Sequence, residues 1–241
     1  MTLRSGDLVK ALAADAAPVR RLASPMVRLG FWLAVSATYA ATIVAAMGLR
    51  ADLSARLTET RFVAELGATF MTSVLAAVAA FCAGCPGRPV WERFAPLPAL
   101  ALWLASLGEG CWQSFLQAGA QGLRIRPDFL CFPSILLVST VPGALILLMI
   151  RRAAPIAPAT TTALAALAAA ALGATALRLF HAQDASAMIL VWQFGSVALL
   201  AGLGALTGRK LLPWPEPGVA VQPTGTSPTD PRFGEGGHPC T

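Results

Sequence analysis

Residues 29–49, LGFWLAVSATYAATIVAAMGL, decide the fold: twenty-one positions without a charge, preceded by Arg28 and followed by Arg50. A helix rises about 1.5 Å per residue, so this run crosses a hydrocarbon core of about 30 Å. The pattern repeats along the chain. Leu66–Gly87, Phe129–Ile150, Ala153–Leu177 and Ala185–Gly208 also lack charge, and Ala95–Leu123 is broken only by Glu109. With 56% hydrophobic residues, 12% charged residues and a mean hydropathy of +0.65, the composition lies outside the range of soluble domains. Lipid offers no partner to open backbone, and barrel strands would alternate in polarity, so the expected architecture is an all-α membrane protein of six transmembrane helices.

Basic residues set the expected orientation. With the N-terminus inside, the inner segments carry twelve Lys and Arg and the outer ones six, namely Arg50, Arg56, Arg61, Arg124, Arg126 and Arg178. That bias favours both termini in the cytoplasm, although the first outer loop blurs it. The net charge of +6 then reports topology, and direct nucleic-acid binding is disfavoured.

Three parts follow: a segment 1–28, a transmembrane domain 29–210, and a Pro- and Gly-rich tail 211–241 expected to be disordered. The opening segment contains DLVKALAADAAPVRRLASPMVR, residues 7–28. It is long for the n-region of an export signal, and the apolar run behind it exceeds an h-region, so an anchor is expected. Ser5 suits an N-cap, Asp7 the first turn, and Leu8, Leu12 and Ala16 recur at helical spacing until Pro18 ends the pattern. Three turns are marginal alone, so this helix is expected to form on a partner or on the membrane surface.

Candidate chemistry gathers toward the outer side. Glu109 lies within a span, Cys111 two residues further out, Cys131 opens the fourth span, and His181 and Asp184 lie between the fifth and sixth. Intramembrane acids are functional hypotheses by default. Paired thiols could oxidise, or thiol and imidazole could hold a soft metal ion. Alternatively the cysteines fill space, His181 and Asp184 cap helices, and Glu109 reaches the headgroups. No metal-ligand spacing selects between these readings. Cys82 and Cys85 form a CxxC at the inner end of the second span, without the βαβ pattern of thioredoxin-like proteins. Trp32, Trp91, Trp112, Trp192 and Trp214 fit an aromatic belt, and Gly204–Gly208 reads as close packing within the bundle. Nucleotide, zinc-protease and nucleophile-elbow motifs are lacking, so no enzyme and no cofactor are expected.

Four stretches in this order, the opening segment, GEGCWQSFL, PDFLCFPSILLVSTVPGALILLMIRRAAPI and HAQDASAMILVWQFGSVALLAGLGALTGRK, carry a resemblance to the NrsF family of bacterial membrane anti-sigma factors. It spans about residue 3 to Trp214. The resemblance implies an inner-membrane protein that holds an extracytoplasmic-function sigma factor through its N-terminal segment. Leu8, Leu12, Val19 and Leu22 would be the groove anchors of an amphipathic helix, and Asp15, Arg20 and Arg21 would orient it. The same arginines also suit anionic membrane lipids. The family is associated with cysteines needed for response to oxidants or heavy metals, and Cys131 sits in the matching CFPSI stretch. Where a His-Cys pair is often found, this chain has His181 and Ala182, which leaves Cys131 with Cys111, or with His181 as a metal partner. A membrane thiol oxidoreductase or a small transporter is the alternative class.

Overall fold

A computed structural model describes residues 23–85, 87–128, 130–153, 157–182 and 184–212, together with Gly6, Val9, Lys10 and Ala14, which are helical. The expected capture residues Leu8, Leu12, Asp15, Val19, Arg20, Arg21 and Leu22, and the tail beyond Leu212, lie outside the described residues. Six helices are long and apolar enough to cross a membrane. They are α1 (Pro25–Met47), α2 (Thr60–Ala83), α3 (Leu97–Ala118), α4 (Cys131–Arg151), α5 (Pro158–Phe180) and α6 (Ser186–Leu211). Among the described residues there is no strand.

Local chemistry sets the helix ends. Ser24 caps α1 by accepting the Val27 N–H at 3.4 Å, and Pro25 follows where a missing N–H costs nothing. Gly48 ends α1 at φ +82°, a backbone conformation that side chains disfavour. The α2 helix begins at Thr60, so Arg61 and Glu65 lie in its first turns rather than in the preceding loop. In α6 the residues Ile189–Phe194 widen into a π-helical turn.

Helices α2 and α5 are mostly buried along their spans, while the other four are about a third buried or less. The alanines of α5 explain its place at the centre, because small side chains let neighbouring backbones approach closely. A Cβ at Gly204 would stand 2.8 Å from Ala166 Cβ and from the Thr162 carbonyl oxygen, and one at Gly208 2.7 Å from Ala159 Cα. These glycines therefore seat α6 on α5 within the bundle, and the Thr162 hydroxyl donates to the Gly204 carbonyl at 2.7 Å.

The α1 helix lies against α4 and is tied to it by its own side chains. Arg28 Nη2 donates to the Met149 carbonyl at 2.8 Å, Trp32 Nε1 to the Pro142 carbonyl at 2.9 Å, and the Tyr39 hydroxyl to the Leu137 carbonyl at 3.1 Å. Trp32 is fully buried and thus not part of an interfacial belt, unlike Trp91 and Trp112, which are exposed.

The bundle has two chemically different ends. At the end holding the start of α1 and the close of α6, Arg28 meets the close of α4 and Arg151 donates to the Leu211 carbonyl. The other end holds Gly48–Glu59, the start of α4 with Cys131, and the α5–α6 turn. Cys131 and residue 23 are therefore at opposite ends.

Candidate functional site

The far end is closed by an ion-pair network. Arg50 follows the α1 terminus, donates its N–H to the Leu179 carbonyl at 3.1 Å, and has a side chain 1% exposed. Its guanidinium grips two carboxylates, each through two nitrogens. Asp52 is held at 2.7 and 2.8 Å and Asp184 at 2.9 and 2.6 Å, the forked geometry that favours Arg over Lys. Arg56 adds contacts to Asp184 at 3.1 Å and to Glu59 at 2.9 Å. Deeper in, Glu65 accepts from Arg61 at 3.0 Å and from Arg178 at 3.2 Å, and Arg178 also lies 3.7 Å from Asp184. The Phe62 ring packs 4.7 Å from the Arg178 guanidinium. A polar cavity of about 110 Å³ lies among Arg56, Glu59, Arg61, Glu65, Arg178 and Asp184. The α1–α2 connection, α2, α5 and α6 are thereby clipped together by charge.

Pairing shifts the loop members in the expected directions. The hydrogen bonds Arg50 donates to Asp184 and then Asp52 raise it. The Arg50 hydrogen bond holds Asp52 far below the usual carboxylate range. Burial pushes Asp184 up, but Arg50, Arg56 and Arg178 together pull it below its ordinary value.

Arg61 reaches across α3 to donate to the Ser186 hydroxyl at the start of α6. It passes over Gly110, where any Cβ would overlap the guanidinium and the Ser186 hydroxyl. The glycine of GEGCWQSFL is thus an opening for an arginine.

A second, smaller cluster sits at the start of α4. His181 Nε2 and Asp128 Oδ2 are 2.8 Å apart, joining the α5 terminus to the segment before α4. Asp128 also accepts the Leu130 N–H at 3.3 Å and, through its carbonyl, the Cys131 N–H at 3.4 Å. Cys131 is 2% exposed and belongs to a core cluster with Trp103, Leu107, Ile135 and Ile189.

The five residues singled out by sequence therefore divide. His181 and Cys131 share Asp128 as a neighbour; Asp184 joins the arginines; and Cys111 is half-buried within electrostatic reach of Arg61 and Glu65. Glu109 is exposed on α3, and among the described residues the buried acid is Glu65, at 4% exposure. Cys111 and Cys131 are free thiols, and among the described residues no three His, Cys, Asp or Glu side chains converge to hold a metal ion. Sequence reasoning missed Arg50, Arg61, Glu65, Asp128 and Arg178. For Arg50, Arg61 and Glu65 the signal is the near balance of Arg and acid in RADLSARLTETRFVAE, residues 50–65.

Six apolar helices closed at one end by ion pairs describe a multi-pass membrane protein. The chain belongs to the NrsF family, negative regulators of sigma F, whose sequence profile matches residues 12–214. It is accordingly a negative regulator of a sigma factor, with a sigma factor as partner, and the family suggests a non-enzymatic role. No curated protein and no solved structure matches the chain.

Proposed function

We propose that the chain holds an extracytoplasmic-function sigma factor at the bacterial inner membrane through residues 1–28, with both termini cytoplasmic. It lets the factor go when a periplasmic oxidant or metal acts near Cys131 and Cys111, with His181, Asp184 and Glu109 at the same end of the bundle. Leu8, Leu12, Val19 and Leu22 would enter a groove of the factor, with Asp15, Arg20 and Arg21 fixing orientation.

The observation that carries this reading is the seam of Arg28, Trp32 and Tyr39 on the carbonyls of α4. It joins the helix that follows the capture segment to the helix that begins at Cys131. Interhelical hydrogen bonds in membranes contribute about 0.6 kcal/mol each, so three bear about 2 kcal/mol, more than tenfold in an equilibrium. Weakening a complex a hundredfold takes about 2.7 kcal/mol, provided the two bundle states differ in affinity for the factor. Enlarging the Cys131 thiol by oxidation or metalation inside the Trp103–Leu107–Ile135 cluster would overpack it, a cost of about 1–3 kcal/mol. Charge supports the orientation. Between residues 23 and 212 the end with the start of α1 has seven Lys and Arg against Glu92 alone, whereas the other has six against six acids.

Deleting residues 2–22 removes the capture segment and spares the Ser24 cap and Arg28. Sigma-dependent transcription should become constitutive; transcription that stays silent would refute capture. A Cys111→Ser, Cys131→Ser chain should hold the factor and fail to release it under oxidant or metal stress, and normal release would refute the thiol trigger.

A further inference from the structure

At the opposite end from Cys131, the CxxC of Cys82 and Cys85 closes α2. The Cys85 N–H donates to the Cys82 carbonyl at 3.0 Å, a turn that keeps the two Cα atoms within about 7 Å. Both thiols line one polar cavity of about 20 Å³, together with Arg88, Glu92 and Arg93. That is room for a single small occupant, since a water needs about 10–15 Å³. Arg88 Nη2 donates to Cys82 Sγ at 3.3 Å. Arg28, 5% exposed and stacked 4.5 Å from the Phe81 ring, lies within electrostatic reach of both sulfurs, and among the described residues its Nη1 has no hydrogen-bond partner.

We propose that Cys82 and Cys85 form a two-thiolate site for a soft monovalent cation of the cuprous class, with Arg28 and Arg88 as its countercharges. Sulfur ligands select soft metals. Glu92 is engaged by Arg88 at 2.9 Å, and among the described residues no third donor of the usual types converges, so they build no four-coordinate zinc site. Two-coordinate cuprous or silver ion needs only the pair. On binding, two thiol protons leave to water, two sulfur–metal bonds form, and no electron is transferred. The resulting dithiolate complex carries one negative charge; with Arg88 already paired to Glu92, that charge balances the Arg28 guanidinium and gives its Nη1 an anion to face.

The test uses the full chain in detergent with Cys240→Ser, titrated with silver(I) against a chromophoric competitor. In a Cys111→Ser, Cys131→Ser background, which removes the thiols of the proposed trigger, one ion per chain should bind. Cys85→Ser, at a half-buried turn outside the helix core, should lower affinity at least a hundredfold while helix content measured by circular dichroism stays constant. Arg88→Met should lower it several-fold with both thiols present. No bound silver in the parent, or undiminished binding in Cys85→Ser, would overturn the proposal.

Discussion

Glu65→Ala tests whether charge holds the far end together. Both carboxylate oxygens are in use, one on Arg61 at 3.0 Å and one on Arg178 at 3.2 Å, in a side chain 5% exposed. Removing the carboxylate leaves Arg178, also nearly buried, with the more distant Asp184 at 3.7 Å as its anionic neighbour. Taking one partner from a buried pair costs about 3–5 kcal/mol, because the remaining charge has lost its compensation. Asp184 offsets part of this, which places the expected loss near 3 kcal/mol, more than a hundredfold in the unfolding constant. The assay is unfolding of the purified full chain from mild micelles by a denaturing detergent, followed by helix signal. Glu109→Ala, which removes an exposed acid, should stay within about 0.5 kcal/mol of the parent. A Glu65→Leu, Arg178→Met pair should recover much of the loss, since apolar replacement of a whole buried pair is often neutral. If Glu65→Ala unfolds like Glu109→Ala, the network does not stabilise the bundle.

Trp32→Phe deletes the donor to the Pro142 carbonyl while keeping most of the ring, and should cost about 0.5–1.5 kcal/mol in the same assay and raise basal sigma-dependent transcription; an unchanged reporter would separate the seam from regulation. Gly110→Ala should cost about 1–3 kcal/mol by expelling Arg61, whereas Gly108→Ala, with open space around it, should be neutral or stabilising, and equal effects would deny the arginine passage. Because the carboxyls of Asp52 and Asp184 are lowered in the fold, their stabilisation is present above the unfolded value of 3.8 and lost as pH falls through the folded values. Thermal unfolding should therefore be flat from about pH 5 to 8 as far as these two groups are concerned and weaken below about pH 4, with Asp184→Asn reducing that acid dependence.

The six spans were legible because a bilayer demands a simple thing of sequence: about twenty apolar residues in a row. Span limits were less so. Treating charge as a boundary started the second span at Leu66, but Arg61 and Glu65 neutralise each other and neighbours, so the helix begins at Thr60. Trp32 looked interfacial because tryptophan usually is; its burial depends on a carbonyl 110 residues away, which no local pattern announces. Glu109 drew attention by standing alone in an apolar run, whereas the acid with buried partners, Glu65, hid among arginines. Interhelical pairing is a property of distant residues, and one sequence gives their charges without their partners.

The seam between α1 and α4 has an asymmetric grammar: α1 supplies three particular side chains, and α4 replies with nothing but peptide oxygens. Every amino acid carries that oxygen. Leu137 and Met149 can therefore be exchanged for other apolar residues without silencing the linkage, while Arg28, Trp32 and Tyr39 have few chemical substitutes. An engineer altering the bundle thus finds the seam indifferent to side-chain identity at the α4 positions that supply its oxygens, while burial still constrains Ile135, Val138, Ile146 and Ile150.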